Sequence, residues 1–239
     1  MKYYLLALSA SVAMMGNATA SEWGYSGKHN PENWGEVSET CQAGNNQSPI
    51  DINQAVKASI KPLEIHYNGT VLGIVNNGHT IQAKVAGDNT LTVDGKTFKL
   101  AQFHFHTPSE NYINNHQFAM EAHFVNQDKD GNLAVIAVMF DKGQKSQFMD
   151  KLTANLPKTG HSEKFAHPLK VKDLLPDSTQ TYYRFNGSLT TPPCSEGVRW
   201  FVLKDTKTLS GSQQQAMMGV MGHNNRPLQP LNARLVTSN

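Results

Sequence analysis

Gln102-Phe103-His104-Phe105-His106 is the stretch that most constrains the fold of this chain. Side chains alternate between the two faces of a β-strand, so the two phenylalanines share one face while the glutamine and both histidines share the other. The phenylalanine face is suited to a hydrophobic core. The two imidazoles then project together, about 7 Å apart at Cα given the rise of a strand. The pattern predicts a strand with metal-ligating side chains on one face and core residues on the other.

A second segment with the same alternation, EAHFV at 121–125, follows shortly afterwards. If it pairs antiparallel with the first, His123 supplies a third nitrogen beside His104 and His106. Three neutral histidines leave the fourth tetrahedral position of a zinc ion open, which is typical of catalytic rather than structural zinc sites.

Both predicted ligand strands carry a polar residue two positions before a histidine. Gln102 precedes His104, and Glu121 precedes His123. An amide or carboxylate at that position can accept a ring N–H and so fix the tautomer of a metal ligand. A His-x-His pair alone is more often two surface histidines, so the predicted metal site depends on the second strand.

The rest of the sequence is typical of a single β-rich unit. Alternating segments are separated by turn residues, among which Asp94-Gly95 is a strong hairpin signal. The continuous apolar run 133–140 predicts a strand buried on both faces. The segments 143–156 and 210–221 are the only two sizeable helices that the sequence predicts. No linker, composition shift or repeat divides residues 21–239, so we expect one domain there.

The composition excludes several classes of protein. The chain has 239 residues, a formal net charge of +2, ten histidines and two cysteines. This is neither the basic footprint of a nucleic-acid-binding protein nor a polybasic membrane patch. Two cysteines are too few for a disulfide-dense scaffold or a cysteine-rich zinc finger.

The N-terminus has the pattern of a secretory signal peptide. Lys2 precedes an apolar run, and Ala18-Thr19-Ala20 fits a cleavage site, so we expect removal of residues 1–20. A buried N-terminal helix or a retained anchor is the alternative. Export to an oxidising compartment predicts a disulfide between Cys41 and Cys194, the alternative being two buried free thiols.

Several further motifs extend along the chain in a consistent order. They are Trp23-Gly24-Tyr25, His29-Asn30-Pro31, Gln47-Ser48-Pro49-Ile50-Asp51-Ile52, Asn76-Asn77-Gly78-His79, Ser109-Glu110-Asn111, Gly187-Ser188-Leu189-Thr190-Thr191-Pro192-Pro193, Val198-Arg199-Trp200 and Asn225-Arg226-Pro227. Together with the two histidine strands, they resemble the α-class carbonic anhydrases, and the short secreted form resembles the bacterial branch. The resemblance implies a mainly β fold (α+β by content), with one large twisted, mostly antiparallel sheet and short peripheral helices.

The same resemblance implies a zinc-dependent enzyme, a lyase that reversibly hydrates CO₂ to bicarbonate and a proton. One Zn²⁺ per chain is expected on His104, His106 and His123, with zinc-bound hydroxide attacking CO₂. A secreted, bacterial periplasmic location is expected, with no membrane span after cleavage and no nucleic-acid partner. The family is also compatible with a homodimer.

The remaining site residues follow from the family motifs. Glu110 and Thr190 match the pair that orients the nucleophile, and His79 matches the histidine that carries the proton to solvent. The residues matching the substrate pocket are Val125, Val135, Leu189, Thr191 and Trp200. The residues matching the ordered-water path are Tyr25, Asn77 and Gln82. Asn224 is taken as structural, and Phe185 departs from the family by replacing a tyrosine near the Thr190 position.

Two rival interpretations remain open at this point. His104-x-His106-x₃-Glu110 also fits the cupin pattern, in which the glutamate is itself a ligand, often of iron or manganese. The other rival is a non-enzymatic zinc binder, including an inactive relative of the family.

Overall fold

The computed structural model describes residues 23–239. The predicted signal peptide, residues 1–20, lies outside the described residues. Within residues 23–239, no helix is both long and apolar enough to cross a membrane.

Strands dominate the described part of the chain. The first eight are β1 (Asp51–Ile52), β2 (Ala55–Lys57), β3 (Glu64–Tyr67), β4 (Thr70–Asn76), β5 (Ile81–Ala86), β6 (Asn89–Val93), β7 (Lys96–His106) and β8 (Tyr112–Ile113). The others are β9 (His116–Gln117), β10 (Met120–Gln127), β11 (Leu133–Lys142), β12 (Ser162–Lys170), β13 (Tyr182–Ser188), β14 (Glu196–Leu203), β15 (Lys207–Leu209) and β16 (Val236–Ser238).

Thirteen of these strands form one sheet, whose main path is β12-β4-β5-β7-β10-β11-β14-β13-β16-β2. Strand β15 pairs with β11, and β3 and β6 extend the sheet beside β7. Most neighbours are antiparallel, and β11–β14, β11–β15 and β16–β2 are parallel. A separate small sheet contains β1, β8 and β9. The expected large, mostly antiparallel sheet is therefore confirmed.

Short helices lie around the sheet, as expected. They are α1 (Thr40–Ala43), α2 (Gln147–Thr153) and α3 (Gly211–Met221), with 3₁₀ turns at Gly27–His29, Pro31–Glu36 and Val171–Leu174. Helix α3 matches its predicted bounds because Ser210 and Gln213 form a capping box that satisfies N–H groups at its start.

The prediction of a helix over 143–156 is wrong at both ends. Lys142 pairs with Leu209 of β15, and the Gly143 N–H donates to the Leu209 carbonyl, so the chain is still extended there. The helix begins only where the Ser146 side chain caps the Met149 N–H. It ends at Thr153, ahead of Pro157, which disfavours helical geometry at the residue before it.

The hairpin between β6 and β7 forms where the sequence predicts it. Asp94 and Gly95 both have positive φ, 52° and 72°, and Val93 pairs with Lys96. Two left-handed residues in succession match the twist of the flanking strands. This turn fixes the register of β7 and therefore the face to which its histidines belong.

The two faces of the sheet carry different hydrophobic clusters. Phe103 and Phe105 are completely buried in the larger cluster, together with alternate residues of β10 and β11. The smaller cluster contains Val135 and Trp200, with Val125 packed against it. Strand β11 is buried on both faces from Ala134 to Phe140, which confirms the expectation for this apolar run.

Candidate metal centre

The pairing of β7 with β10 brings the three histidines together. In this antiparallel register His104 lies directly opposite His123, and His106 lies opposite Glu121. One potential ligand nitrogen from each of the three imidazoles lies within 4.8 Å of the others. The cluster exists because Phe103 and Phe105 fill the core on the other face of β7, which leaves the histidines no other side to occupy.

Each imidazole already has one nitrogen against an oxygen acceptor. His104 Nδ1 is 2.9 Å from Gln102 Oε1, and His123 Nε2 is 2.9 Å from Glu121 Oε1. The second contact is short, although its angle is outside that of a well-formed hydrogen bond. These are the two partners that the sequence spacing predicts.

The partner of His106 was not anticipated. Its Nδ1 lies 2.7 Å from the backbone oxygen of Asn224, for which the sequence predicts only a structural role. The Asn224 side chain is completely buried and accepts the Thr107 N–H at 2.8 Å. It also donates to the carbonyl oxygens of His79 and Phe105. Asn224 therefore joins the end of a ligand strand to the turn that carries His79.

The histidine cluster fits a zinc ion. Burial lowers the pKa of His104, His106 and His123, and neighbouring imidazoles lower those of His104 and His123 further. The rings are therefore neutral at physiological pH. His106 Nε2 is buried and has no hydrogen-bond partner within residues 23–239, which is rare for a buried polar atom. Three neutral imidazoles, each with its other ring nitrogen against an oxygen acceptor, are the donor set of a zinc site whose fourth position is open.

The Glu121 carboxylate is completely buried and densely hydrogen-bonded. Its Oε2 accepts the backbone N–H groups of Glu110 and Asn111 at 2.7 and 2.8 Å, and its Oε1 accepts from Asn111 Nδ2 at 2.8 Å. Burial raises the pKa of Glu121, while the donors of Asn111 oppose that shift. Glu121 thus connects the loop that carries Glu110 to the strand that carries His123.

Glu110 lies immediately behind the histidines. Its Oε1 accepts the Arg226 N–H at 2.8 Å, and the same oxygen is 3.5 Å from His106 Nδ1. Burial raises the pKa of Glu110 well above its ordinary value, and hydrogen bonding from Arg226 and Thr190 acts in the opposite direction. Glu110 Oε2 has no well-aligned hydrogen bond to any described residue. The Thr190 side chain is close enough to Glu110 to act on the pKa of its carboxyl.

Arg226 belongs to the Asn225-Arg226-Pro227 motif, and the sequence predicts no specific role for it. Its side chain is 2% exposed. Its Nη1 donates to Gln47 Oε1 and the Ser48 oxygen, and its Nη2 donates to the Cys41 oxygen. Every partner of the Arg226 side chain is far away in the sequence, so no local spacing of residues could have predicted that Arg226 is held beside Glu110.

The predicted disulfide between Cys41 and Cys194 is present, with an S–S distance of 2.07 Å. The Cys194 N–H donates to the Thr191 oxygen at 2.8 Å. The disulfide therefore holds the loop of Thr190 and Thr191 against the N-terminal segment.

The predicted pocket residues lie together beside the histidines. Val135 pairs with Val125 on one side and with Trp200 on the other. The Trp200 ring is 4.8 Å from the His123 ring, and its Nε1 donates to the Ser188 oxygen. Leu189 packs against the same cluster. Thr191, half-buried, follows Thr190 in the loop.

The residues predicted for proton transfer differ in their exposure and in whether their polar atoms are already hydrogen-bonded. His79 is half-exposed and stacks on Trp23, with ring centroids 3.7 Å apart, and burial lowers its pKa. Asn77 uses its side-chain oxygen to accept the N–H groups of His79 and Thr80, so that oxygen is committed to the turn. Gln82 lies opposite His104 across the β5–β7 pairing.

Tyr25 lies in an aromatic group with Trp23 and Trp34. Burial raises its pKa well above the ordinary value, and the charge of Glu110 raises it further. Tyr25 is therefore protonated at neutral pH, so its hydroxyl remains a hydrogen-bond donor.

The family pattern that this chain matches, and the related sequence and the two solved structures named below, all belong to one enzyme family. The sequence pattern of the eukaryotic-type carbonic anhydrase family matches residues 29–239. A carbonic anhydrase of Pectobacterium carotovorum is 46% identical over 237 residues, 97% of each chain. The α-carbonic anhydrase of Photobacterium profundum superposes with a TM-score of 0.88 at 56% identity, covering 90% of this chain and 100% of that one. The Thermovibrio ammonificans α-carbonic anhydrase, solved with the inhibitor sulfanilamide, gives a TM-score of 0.87 at 46% identity, covering 90% and 98%.

Proposed function

The chain belongs to the eukaryotic-type, or α-class, carbonic anhydrase family, and on that premise we propose how its own residues carry out the reaction. As a carbonic anhydrase it reversibly hydrates CO₂ to bicarbonate and a proton. The observation that carries the assignment is the cluster of His104, His106 and His123. Zinc held there supplies the positive charge that lets water lose a proton near neutral pH, a property for which this family is the standard example.

Thr190 and Glu110 orient the nucleophile. A hydroxyl has a single proton to donate, and an ionised carboxylate can only accept. Glu110 Oε2 has no aligned partner within residues 23–239, so in the ionised state it is free to accept a hydrogen bond from the nearby Thr190 hydroxyl. The Thr190 oxygen must then accept a hydrogen bond from the attacking group. This directs a lone pair of that group toward CO₂, which is an orientation effect.

The apolar wall binds CO₂, which has no net charge. The wall residues are Val125, Val135, Leu189 and Trp200. An apolar surface excludes competing water from the attack position without binding the charged product strongly. Thr191, next to the orienting hydroxyl, offers a hydrogen bond to bicarbonate. Phe185 stacks parallel to the Trp200 ring, and it is not one of the three metal-ligating residues.

His79 carries the released proton to solvent. Its half-exposed ring lies between the interior and bulk water, and an imidazole can load and unload a proton near neutrality. Water between the histidine cluster and His79 is oriented by Tyr25, by Gln82 and by the amide nitrogen of Asn77, whose side-chain oxygen is committed to the turn. The stacking of His79 on Trp23 limits the movement of this ring.

The two rival interpretations lose support. In a cupin, Glu110 would be a ligand, but here the clustered metal-ligating group comprises the three histidines, and Glu110 Oε1 accepts the Arg226 N–H. A non-enzymatic binder has no need for the Glu110–Thr190 pair or the apolar wall, and the relatives compared above are carbonic anhydrases.

Stopped-flow CO₂ hydration tests this function. We expect residues 21–239 loaded with one zinc per chain to accelerate hydration far above buffer. We expect the zinc-stripped chain to lose that activity and zinc to restore it. Sulfanilamide, the inhibitor in the T. ammonificans structure, should abolish the acceleration. A zinc-loaded chain no faster than buffer would contradict the proposal.

We also propose that the protein is secreted to a bacterial periplasm and, on the basis of its resemblance to bacterial α-carbonic anhydrases alone, that it forms a homodimer. The signal-like N-terminus and the Cys41–Cys194 disulfide support export, because disulfides persist in oxidising compartments. Cell fractionation and the intact mass of the mature chain test cleavage after Ala20. Retention of residues 1–20 in the exported protein would contradict the cleavage site, and a monomer by sedimentation would contradict the dimer.

A further inference from the structure

A cavity of about 640 Å³ lies away from the histidine cluster and is lined by arginines. Its lining includes Asp94, Arg184, Asn186, Arg199, Arg234 and Leu235, and we name it the arginine cavity. The chain contains seventeen lysines but only four arginines, and three of those four line this one cavity. Arginine differs from lysine in presenting a planar fork of donors that matches phosphate and carboxylate oxygens. The concentration of arginines therefore points to oxyanion recognition rather than to general surface charge.

The sheet itself gathers the three guanidinium groups. Asn186 of β13 pairs directly with Arg199 of β14, and Arg184 lies two positions before Asn186 on the same face. Diagonal neighbours on one face of a sheet are about 7–8 Å apart. Arg234 joins them from the C-terminal segment, because its Nη1 donates to the Asn186 oxygen at 3.2 Å.

The arginine cavity is on the opposite face of the sheet from the metal centre. Arg199 and Trp200 are consecutive residues of β14 and therefore point to opposite faces. The Trp200 ring contacts His123, whereas the Arg199 guanidinium lies 5.7 Å from the centre of the Phe98 ring. The Arg184 guanidinium lies 5.5 Å from the centre of the Phe201 ring. Aromatic rings thus support two of the three forks and limit their movement.

The positive charge of the cavity is only partly neutralised. Arg184 forms a two-bond ion pair with Asp94, one bond of which measures 3.0 Å. The Arg199 guanidinium forms no hydrogen bond or ion pair with any residue in 23–239, and it acts on Asp94 only through its charge. Among the lining residues, three arginines face one carboxylate, so the lining itself carries a formal charge of about +2, which Glu196 beside Arg234 reduces in part.

Arg234 is positioned but not neutralised by its hydrogen bonds. Its donors contact neutral backbone oxygens, those of Leu231, Pro230 and Asn186. Glu196 is the nearby acidic group, and its carboxylate accepts from the Asn46 N–H and from Gln47 Nε2. Because Glu196 already has its own donors, the unused donors of Arg234 stay available to a ligand.

We propose that the arginine cavity binds a small polyanion that carries at least two phosphate or carboxylate groups. Two groups are needed to match the residual charge and to reach both the Arg199 fork and the Arg234 fork. The volume is within the range of small-molecule sites and exceeds that needed for a single bicarbonate ion. The site is separate from catalysis, since none of its lining residues belongs to the machinery described above.

Calorimetric titration of the zinc-loaded chain tests this proposal. Pyrophosphate is the probe in one arm and propane-1,2,3-tricarboxylate in the other, at constant ionic strength, and zinc content is measured afterwards to exclude chelation. We expect saturable binding of one equivalent in at least one arm. The arm that binds identifies whether the site prefers phosphate or carboxylate.

Arg199→Gln is the deciding variant, because the Arg199 guanidinium makes no hydrogen bond within residues 23–239 that the substitution would break, and the backbone pairing of β14 is kept. We expect its affinity for the probe to fall at least about tenfold, the usual loss for a charge-assisted contact. Lys164→Gln makes the same charge change on β12, at the other edge of the sheet, and should leave binding unchanged. CO₂ hydration by both variants verifies that they are folded.

Three outcomes would overturn the proposal. The first is no saturable binding in either arm. The second is binding that Arg199→Gln leaves unchanged, which would place the ligand elsewhere. The third is an equal loss in Arg199→Gln and Lys164→Gln, which would indicate general charge attraction and no site. Arg234→Gln provides a second measurement, with its unfolding temperature compared because it also loses backbone contacts.

Discussion

Replacement of Asn224 by alanine should weaken both the fold and zinc binding. The side chain is completely buried, and its loss leaves the Thr107 N–H without its partner. The His79 oxygen also loses a donor, whereas the Phe105 oxygen keeps a second donor in the Thr80 hydroxyl. A buried polar group left unpaired costs about 1–3 kcal/mol. Two such groups predict a loss of about 2–6 kcal/mol in the free energy of unfolding.

The effect on zinc follows from the same contacts. Asn224→Ala keeps the backbone oxygen that accepts from His106, but it releases the side-chain bonds that hold this oxygen in place. Loss of the partner of a metal ligand typically reduces metal affinity about 10–100-fold. We expect a reduction at the lower end of that range, because the acceptor is displaced rather than deleted.

Two measurements on one protein preparation test this reasoning. Urea unfolding of the zinc-free chain gives the stability term, and competition with a chelator gives the zinc affinity. Asn225→Ala, at a half-buried neighbour, is the matched control. A stability loss below about 1 kcal/mol with unchanged zinc affinity would refute the role of Asn224 as a link between ligand and turn.

Four further predictions concern the site and one surface ion pair. His106→Ala should lose zinc affinity by orders of magnitude, and stoichiometric zinc retained after dialysis would refute the ligand assignment. Thr190→Ala should keep zinc but slow CO₂ hydration by about 10²-fold, with Thr190→Ser retaining most activity; an unchanged rate in Thr190→Ala would remove its orienting role. His79→Ala should slow turnover at low buffer concentration, and added imidazole should restore it; absence of rescue would mean that protons leave by another path. Hydrogen bonding to Arg184 lowers the pKa of Asp94, so this pair stabilises the fold above the unfolded-state pKa and loses its contribution as pH falls through the lower folded value. Because the Asp94 side chain is 51% exposed, Asp94→Asn should cost less than about 1 kcal/mol at pH 7, and the difference from the parent chain should vanish in acid thermal melts.

The sequence was sufficient for the parts of the site that depend on local alternation. A His-x-His strand with phenylalanines between the histidines has one arrangement that buries the phenylalanines, so the face of His104 and His106 follows directly. Gln102 and Glu121 lie two residues from a histidine, and a strand places such neighbours on the same face. The Asp94-Gly95 turn is equally local, since its backbone conformation depends on the two residues themselves.

The parts that escaped prediction depend on distant segments. The acceptor for His106 is a backbone oxygen 118 residues away, and every residue type has one, so no side-chain pattern marks it. The bounds of α2 failed for a related reason, because β15 pairs with the chain as far as Lys142 and delays the start of the helix. Pairing partners that lie far along the chain override the local helix signal.

Arg226 explains why so much of the chain has to fold before Glu110 is in place. Its guanidinium is almost completely buried, and its donors contact oxygens of Gln47, Ser48 and Cys41, all neutral. These contacts satisfy its hydrogen bonds but not its charge, and Glu110 is the acidic group whose charge acts on it most strongly. An unpaired buried carboxylate would be protonated, and a protonated Glu110 could no longer serve only as an acceptor. The N-terminal segment, which supplies none of the metal ligands, therefore helps to set the charge state on which the orientation of Thr190 depends.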